Sequence, residues 1–180
     1  MRLLHPFFTL TVLTALAALT ACSPTFNWRE VRVGDTNLIA LLPCKPDQGM
    51  RSIEMGHAKV DLHMQGCEAG PGAGKMMFTV ATFTAPPSAL SDKAPLLLGA
   101  WQAAALVSLH ANESKVTLAP VFKELLATKV IAFGQRSNGS RIESQALYFA
   151  QGTQQFQVMV LADKINPEVV EVFFTGLKRL

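Results

Sequence analysis

The 180-residue sequence predicts an α+β fold: a mostly antiparallel β-sheet with one long helix and one short C-terminal helix packed on it. Three observations carry that prediction. Apolar and polar residues alternate with period two over much of the chain, the pattern of strands with one wet face. One stretch, from Leu97 to Leu109, repeats its apolar residues at steps of three and four instead. A second such stripe, Val170, Phe173, Phe174 and Leu177, closes the chain.

Taken in order, "WREVRVGDTNLIALLP" alternates on both sides of Gly34-Asp35-Thr36-Asn37, which reads as two strands and a turn. Pro43 and Pro46 bracket Cys44 and end the second strand. Further on, Val60, Leu62 and Met64 fall on one parity, while Lys59, Asp61, His63 and Gln65 fall on the other. Met50, Ile53 and Met55 mark its partner strand, with Gly56 at the turn. After the loop "EAGPGAG", "KMMFTVATFTAP" supplies another strand.

The long helix then has Asp92 as N-cap, Pro95 in its first turn and Asn112 as its stop. Leu97, Leu98, Trp101, Ala105 and Leu109 share its apolar face, and Trp101 is expected to pack on the sheet. "KVTLAPVF" is a weaker strand signal; "ATKVIAFGQR", "SRIESQALYFA" and "TQQFQVMVLAD" are three stronger ones. Ser137-Asn138-Gly139-Ser140 joins the first two of these as a hairpin, with Asn-Gly suited to positive φ at both central positions. Asn166-Pro167-Glu168 opens the short helix as cap, first-turn proline and dipole-facing acid.

The N-terminus has a basic start at Arg2, an apolar run from Phe7 to Leu19 and small residues after it. Spanning a bilayer takes roughly 20 apolar residues, and this run is shorter and softened by threonines. It reads as a secretory signal rather than a transmembrane anchor. Leu19-Thr20-Ala21-Cys22 resembles the lipobox of bacterial lipoproteins. That resemblance implies a diacylglyceryl group on the Cys22 thiol, cleavage just before it and acylation of the new amine. It divides the chain into a signal peptide over 1–21, a lipidated tether over 22–27 and a single α+β domain over 28–180. Ser23, where an aspartate would imply inner-membrane retention, implies the periplasmic face of the outer membrane. The order of elements is similar to a PsbP-like sandwich, and to small lipoproteins that end in a hairpin and a Phe-Phe helix. This likeness covers the mature chain as a pattern of elements and implies a fold, not a reaction.

Sixteen Lys and Arg against thirteen Asp and Glu give a net charge of +3, enough for loose attraction to anionic lipid or envelope polymers. Nucleic acid is not an expected partner beyond the cytoplasm; the membrane, through the lipid, and another envelope protein are. Cys44 and Cys67 lie in an exported domain without Cys-x-x-Cys spacing, so a disulfide is expected, tying two neighbouring strands.

No catalytic set stands out. "GPGAGK" is one residue short of a phosphate-binding loop, and Met76 stands where a magnesium-holding hydroxyl belongs. "GQRSNG" has the wrong spacing for a nucleophile elbow and joins two strands. His57, His63 and His110 form no His-Glu-x-x-His pattern, and His110 is expected at the end of the long helix, where its partial charge suits the dipole.

One constellation suggests a metal. Met50, Met55, His57, His63 and Met64, with Met76 and Met77 nearby, offer the thioether and imidazole ligands that suit copper(I). Against it, His63 and Met64 are adjacent on a strand and point to opposite faces. The expected function is therefore a non-enzymatic, membrane-anchored envelope lipoprotein that binds or supports another envelope component. It needs no cofactor beyond the lipid on Cys22. The alternative is a periplasmic ligand- or copper-binding module.

Overall fold

Period-two alternation becomes ten strands in the computed structural model, which describes residues 25–55, 58–72, 74–86 and 94–180. The signal segment over 1–21, the lipobox cysteine Cys22, the turn at Gly56 and His57, and the expected cap Asp92 lie outside the described residues.

The strands are β1 (Arg29–Arg32), β2 (Leu38–Leu42), β3 (Asp47–Met55), β4 (Ala58–Ala69), β5 (Met76–Thr84), β6 (Glu113–Phe122), β7 (Leu125–Gln135), β8 (Arg141–Gln151), β9 (Gln154–Ala162) and β10 (Lys178–Arg179). Helix α1 spans Ala94–Ser108 and α2 spans Pro167–Thr175. Every pairing is antiparallel. There are two sheets where one was expected: a seven-stranded sheet in the order β3-β4-β5-β9-β8-β7-β6 and a small one in the order β1-β2-β10. The two-residue strand β10 carries no sequence signal of its own. It forms because α2 delivers the chain end to β2, where Lys178 lies opposite Ile39.

Three layers result. The small sheet and α2 cover one face of the seven-stranded sheet, with Leu38, Ala40, Leu42, Val170, Phe173 and Phe174 meeting Phe78, Val80, Phe156 and Val158. Phe78 and Phe173 cross edge to face at 5.3 Å between ring centres. Among the described residues, helix α1 alone covers the other face, where Leu97 and Trp101 pack on Val60, Leu62, Phe83, Val130 and Tyr148. Strands near the middle serve both cores. In β5, Met76, Phe78 and Val80 face the first, while Ala81 and Phe83 face the second.

The helices are both short, at 15 and 9 residues, so the expectation of one long and one short helix is corrected. The reason lies at Leu109 and His110. The Ala111 amide donates to the Leu106 carbonyl and the His110 amide to that of Val107, each at 3.0 Å, with His110 at φ +47°. That pair of bonds is a Schellman motif, with a histidine in the left-handed position that glycine usually takes. The helix ends at Ser108, before Asn112, which already pairs through its amide with the Phe133 carbonyl at 3.0 Å.

Helix α2 follows its sequence signals closely. Asn166 Oδ1 accepts from the Glu168 amide at 3.0 Å, Pro167 opens the first turn, and Val170, Phe173 and Phe174 are buried. The Asn138-Gly139 turn differs from its expectation: only Gly139 is left-handed, at φ +82°. The Gly139 amide donates to the Arg136 carbonyl and the Arg136 amide to that of Ser140. Asn138 spends its side chain instead, with Oδ1 accepting from the Ser140 amide at 3.0 Å.

Cys44 and Cys67 are disulfide-bonded, with Cα atoms 6.0 Å apart. The bridge does not tie two neighbouring strands. Cys44 follows β2 of the small sheet and Cys67 lies in β4 of the large one, so the bond clamps two layers together. The segment before β1 already packs on the domain. Phe26 and Trp28 stack at 5.8 Å, Trp28 meets Phe78 edge-on, and the Asn27 amide donates to the Pro43 carbonyl at 2.8 Å.

Candidate functional site: a groove under helix α1

A single α-helix is about 10–12 Å across with its side chains, whereas seven strands at about 4.8 Å spacing make a sheet roughly 30 Å wide. Helix α1 therefore cannot roof its face of the sheet. Trp101 fills the centre, with ring centres 5.0 Å from Phe83 and 6.1 Å from Tyr148. Beyond it, the helix and its end border the gap with Ala104, Ala105, Ser108 and Leu109, mostly small side chains that leave it open.

The result is a groove of about 710 Å³, within the usual range of small-molecule sites. Its floor is Leu62 and Met64 of β4, Met159 and Leu161 of β9 and Ile142 of β8. Met64 stays 44 % exposed although it shares a parity with buried Val60 and Leu62, and it lines the groove. Polar groups stand at the rim: Arg51 and Glu54 on the β3 side, His110 and Arg136 at the other end. Arg136 also forms an ion pair with Asp163 at 2.7 Å. Near the floor, Gln157 Nε2 donates to Tyr148 Oη at 2.9 Å, and both side chains are buried. Burial pushes the Tyr148 phenol above its usual pKa, and the Gln157 bond opposes that shift.

The residues expected to hold copper divide between the two faces of the sheet. Met55 is 2 % exposed in the core beneath α1, and Met64 lies on that same side. Met50 and His63 pair directly across β3 and β4 on the opposite face, with Met50 67 % exposed. Met76 is buried against the small sheet, and His57 is outside the described residues. Among the described residues, no three His, Cys, Asp or Glu side chains converge on one point.

His63 borders a second, polar hollow of about 380 Å³ with Asp35, Lys59, Asp61 and Gln154. There Gln154 bridges Thr82 and Thr84, and Ser52 donates to Asp61. His110, expected at a helix end, is the left-handed cap residue and stands at the groove rim.

The groove itself went unpredicted. Its signal was the run Ala103-Ala104-Ala105 on a helix otherwise rich in large apolar residues. The chain matches no protein-family model and no curated protein sequence.

Proposed function

We propose that this chain is a non-enzymatic envelope lipoprotein, anchored through Cys22 at the periplasmic face of the outer membrane, which binds an apolar envelope component in the groove under α1. The observation that supports it is the unfilled apolar floor. Leaving Met64 exposed and Met159 and Leu161 only half-buried forgoes burial at about 25 cal/mol per Å², a cost that a ligand recovers on binding. The lining is mostly aliphatic and aromatic, with its charges at the rim, an arrangement suited to holding a molecule.

The test is mass spectrometry of an organic extract of the chain purified from envelopes. A stoichiometric apolar molecule, lost when the groove is filled by Ala105→Trp, supports the reading; an extract unaltered by that change overturns it. The anchor is tested by Cys22→Ala, which should abolish lipid labelling and release the chain from the membrane fraction. Continued membrane attachment of that variant would instead indicate an uncleaved helix.

A further inference from the structure

We infer that the groove takes one acyl chain of an anionic lipid, drawn from the membrane that carries the anchor, with the head group held at the mouth by Arg136 and His110. This rests on the proposed reading and names the ligand class and the direction of entry.

The direction follows from strand register. Cys67, Phe78 and Val160 lie side by side in one row across β4, β5 and β9. Trp28 packs on Phe78, and Cys44 is joined to Cys67, so the chain enters the domain at this end of the large sheet. Leu161 follows Val160 directly, and Arg136 lies just past the end of β7, at the same end. The groove mouth and the entry of the chain therefore share one end of the molecule, on opposite faces of the sheet.

Only Ser23 and Pro24 separate Cys22 from Thr25, the first described residue, a reach of about 11 Å over three steps at full extension. A lipidated Cys22 would hold that end, with the mouth, close to the bilayer surface.

Size and charge agree with such an occupant. From β3 to β8 the groove crosses four inter-strand spacings, about 19 Å. Half of a hydrocarbon core about 30 Å thick, the depth one acyl chain fills, is about 15 Å. At the mouth, Arg136 gives one guanidinium nitrogen to Asp163 and keeps further donors in a fork suited to carboxylate or phosphate. The Cap geometry at His110 sets its side chain at the same rim.

The experiment uses the full mature chain with Cys22→Ala, purified without detergent and titrated with a fluorescent long-chain fatty acid and with the matching fatty alcohol. We expect saturable one-to-one binding of the acid, with the alcohol about tenfold weaker. Arg136→Gln should weaken the acid about tenfold and leave the alcohol unchanged. Ala105→Trp should abolish binding of both, with the melting temperature showing that the variant folds; if it does not fold, Ser108→Leu near the mouth takes its place. Equal affinity for acid and alcohol overturns the anionic-lipid inference and leaves the apolar groove reading standing. Absence of saturable binding of either probe to the folded chain, or binding untouched by the groove-filling variants, overturns both.

Discussion

Gln157 and Tyr148 face each other across the β8–β9 pair, and Gln157 Nε2 donates to the phenol oxygen at 2.9 Å beneath the edge of Trp101. The bond satisfies two buried polar groups beneath α1. An unpartnered buried group costs about 1–3 kcal/mol, so each residue protects the other. It also anchors the floor at the point where α1 is most firmly seated.

That pair makes stability depend on pH at the alkaline end. Burial raises the Tyr148 pKa above 10.0, with the Gln157 bond opposing. The folded state therefore keeps its phenol proton at pH values where the unfolded chain has lost it. The contribution is fully present below about pH 10 and declines as the pH rises through the folded value. Denaturant melts from pH 8 to 11 should show that decline, and Tyr148→Phe should flatten it while lowering stability by about 1–2 kcal/mol. An unaltered alkaline slope in the variant would assign the effect elsewhere.

The disulfide closes a loop with a sequence separation of 23 residues, which the chain-entropy model values at about 3 kcal/mol. Cys44→Ala should lower the melting temperature in oxidising buffer and scarcely change it relative to the parent in reducing buffer. An equal drop in both buffers would mean that the sulfur atoms act through packing. Because the bond clamps layers, its loss should loosen the contact of Trp28 with Phe78, readable as a change in tryptophan fluorescence.

His110 occupies a left-handed conformation at φ +47°, where a Cβ is unfavourable. His110→Gly should stabilise the fold by about 0.5–1 kcal/mol, the relief of that strain less the extra unfolded-chain freedom of glycine. Thermal melting checks the sign. Destabilisation would show that the imidazole makes contacts worth more than the strain.

Gly134 lies where the end of α1 is drawn onto β7. A Cβ there would overlap the Leu109 carbonyl oxygen, beside the bond that this carbonyl accepts from the Gln135 amide at 3.0 Å. Gly134→Ala should cost about 1–3 kcal/mol through overpacking and should widen the groove by lifting the helix end. A neutral melting temperature would refute the close approach.

Much of the fold was legible because it is local. Alternation over Val60 and Leu62 marked a strand with a buried side, and Asn166-Pro167 marked the start of α2 with its cap in place. Position along the chain does not encode layers, however. The same alternation continues through β4 while the buried parity changes, from Val60 and Leu62 beneath α1 to Cys67 and Ala69 beneath the small sheet. For that reason Met64 read as core and the cysteines read as joining neighbours.

By itself, the sequence determined the α+β class, the strand and helix periods, the pairing of Cys44 with Cys67 and the lipobox resemblance at Cys22. The second sheet, the clamp between layers and the groove were decided by tertiary structure alone. The physical reason is dimensional. Short-range patterns say which side of an element is apolar, but whether that side is covered depends on how wide a roof the rest of the chain supplies. Here a 15-residue helix with alanines bordering the groove faces seven strands, and the uncovered floor is the site.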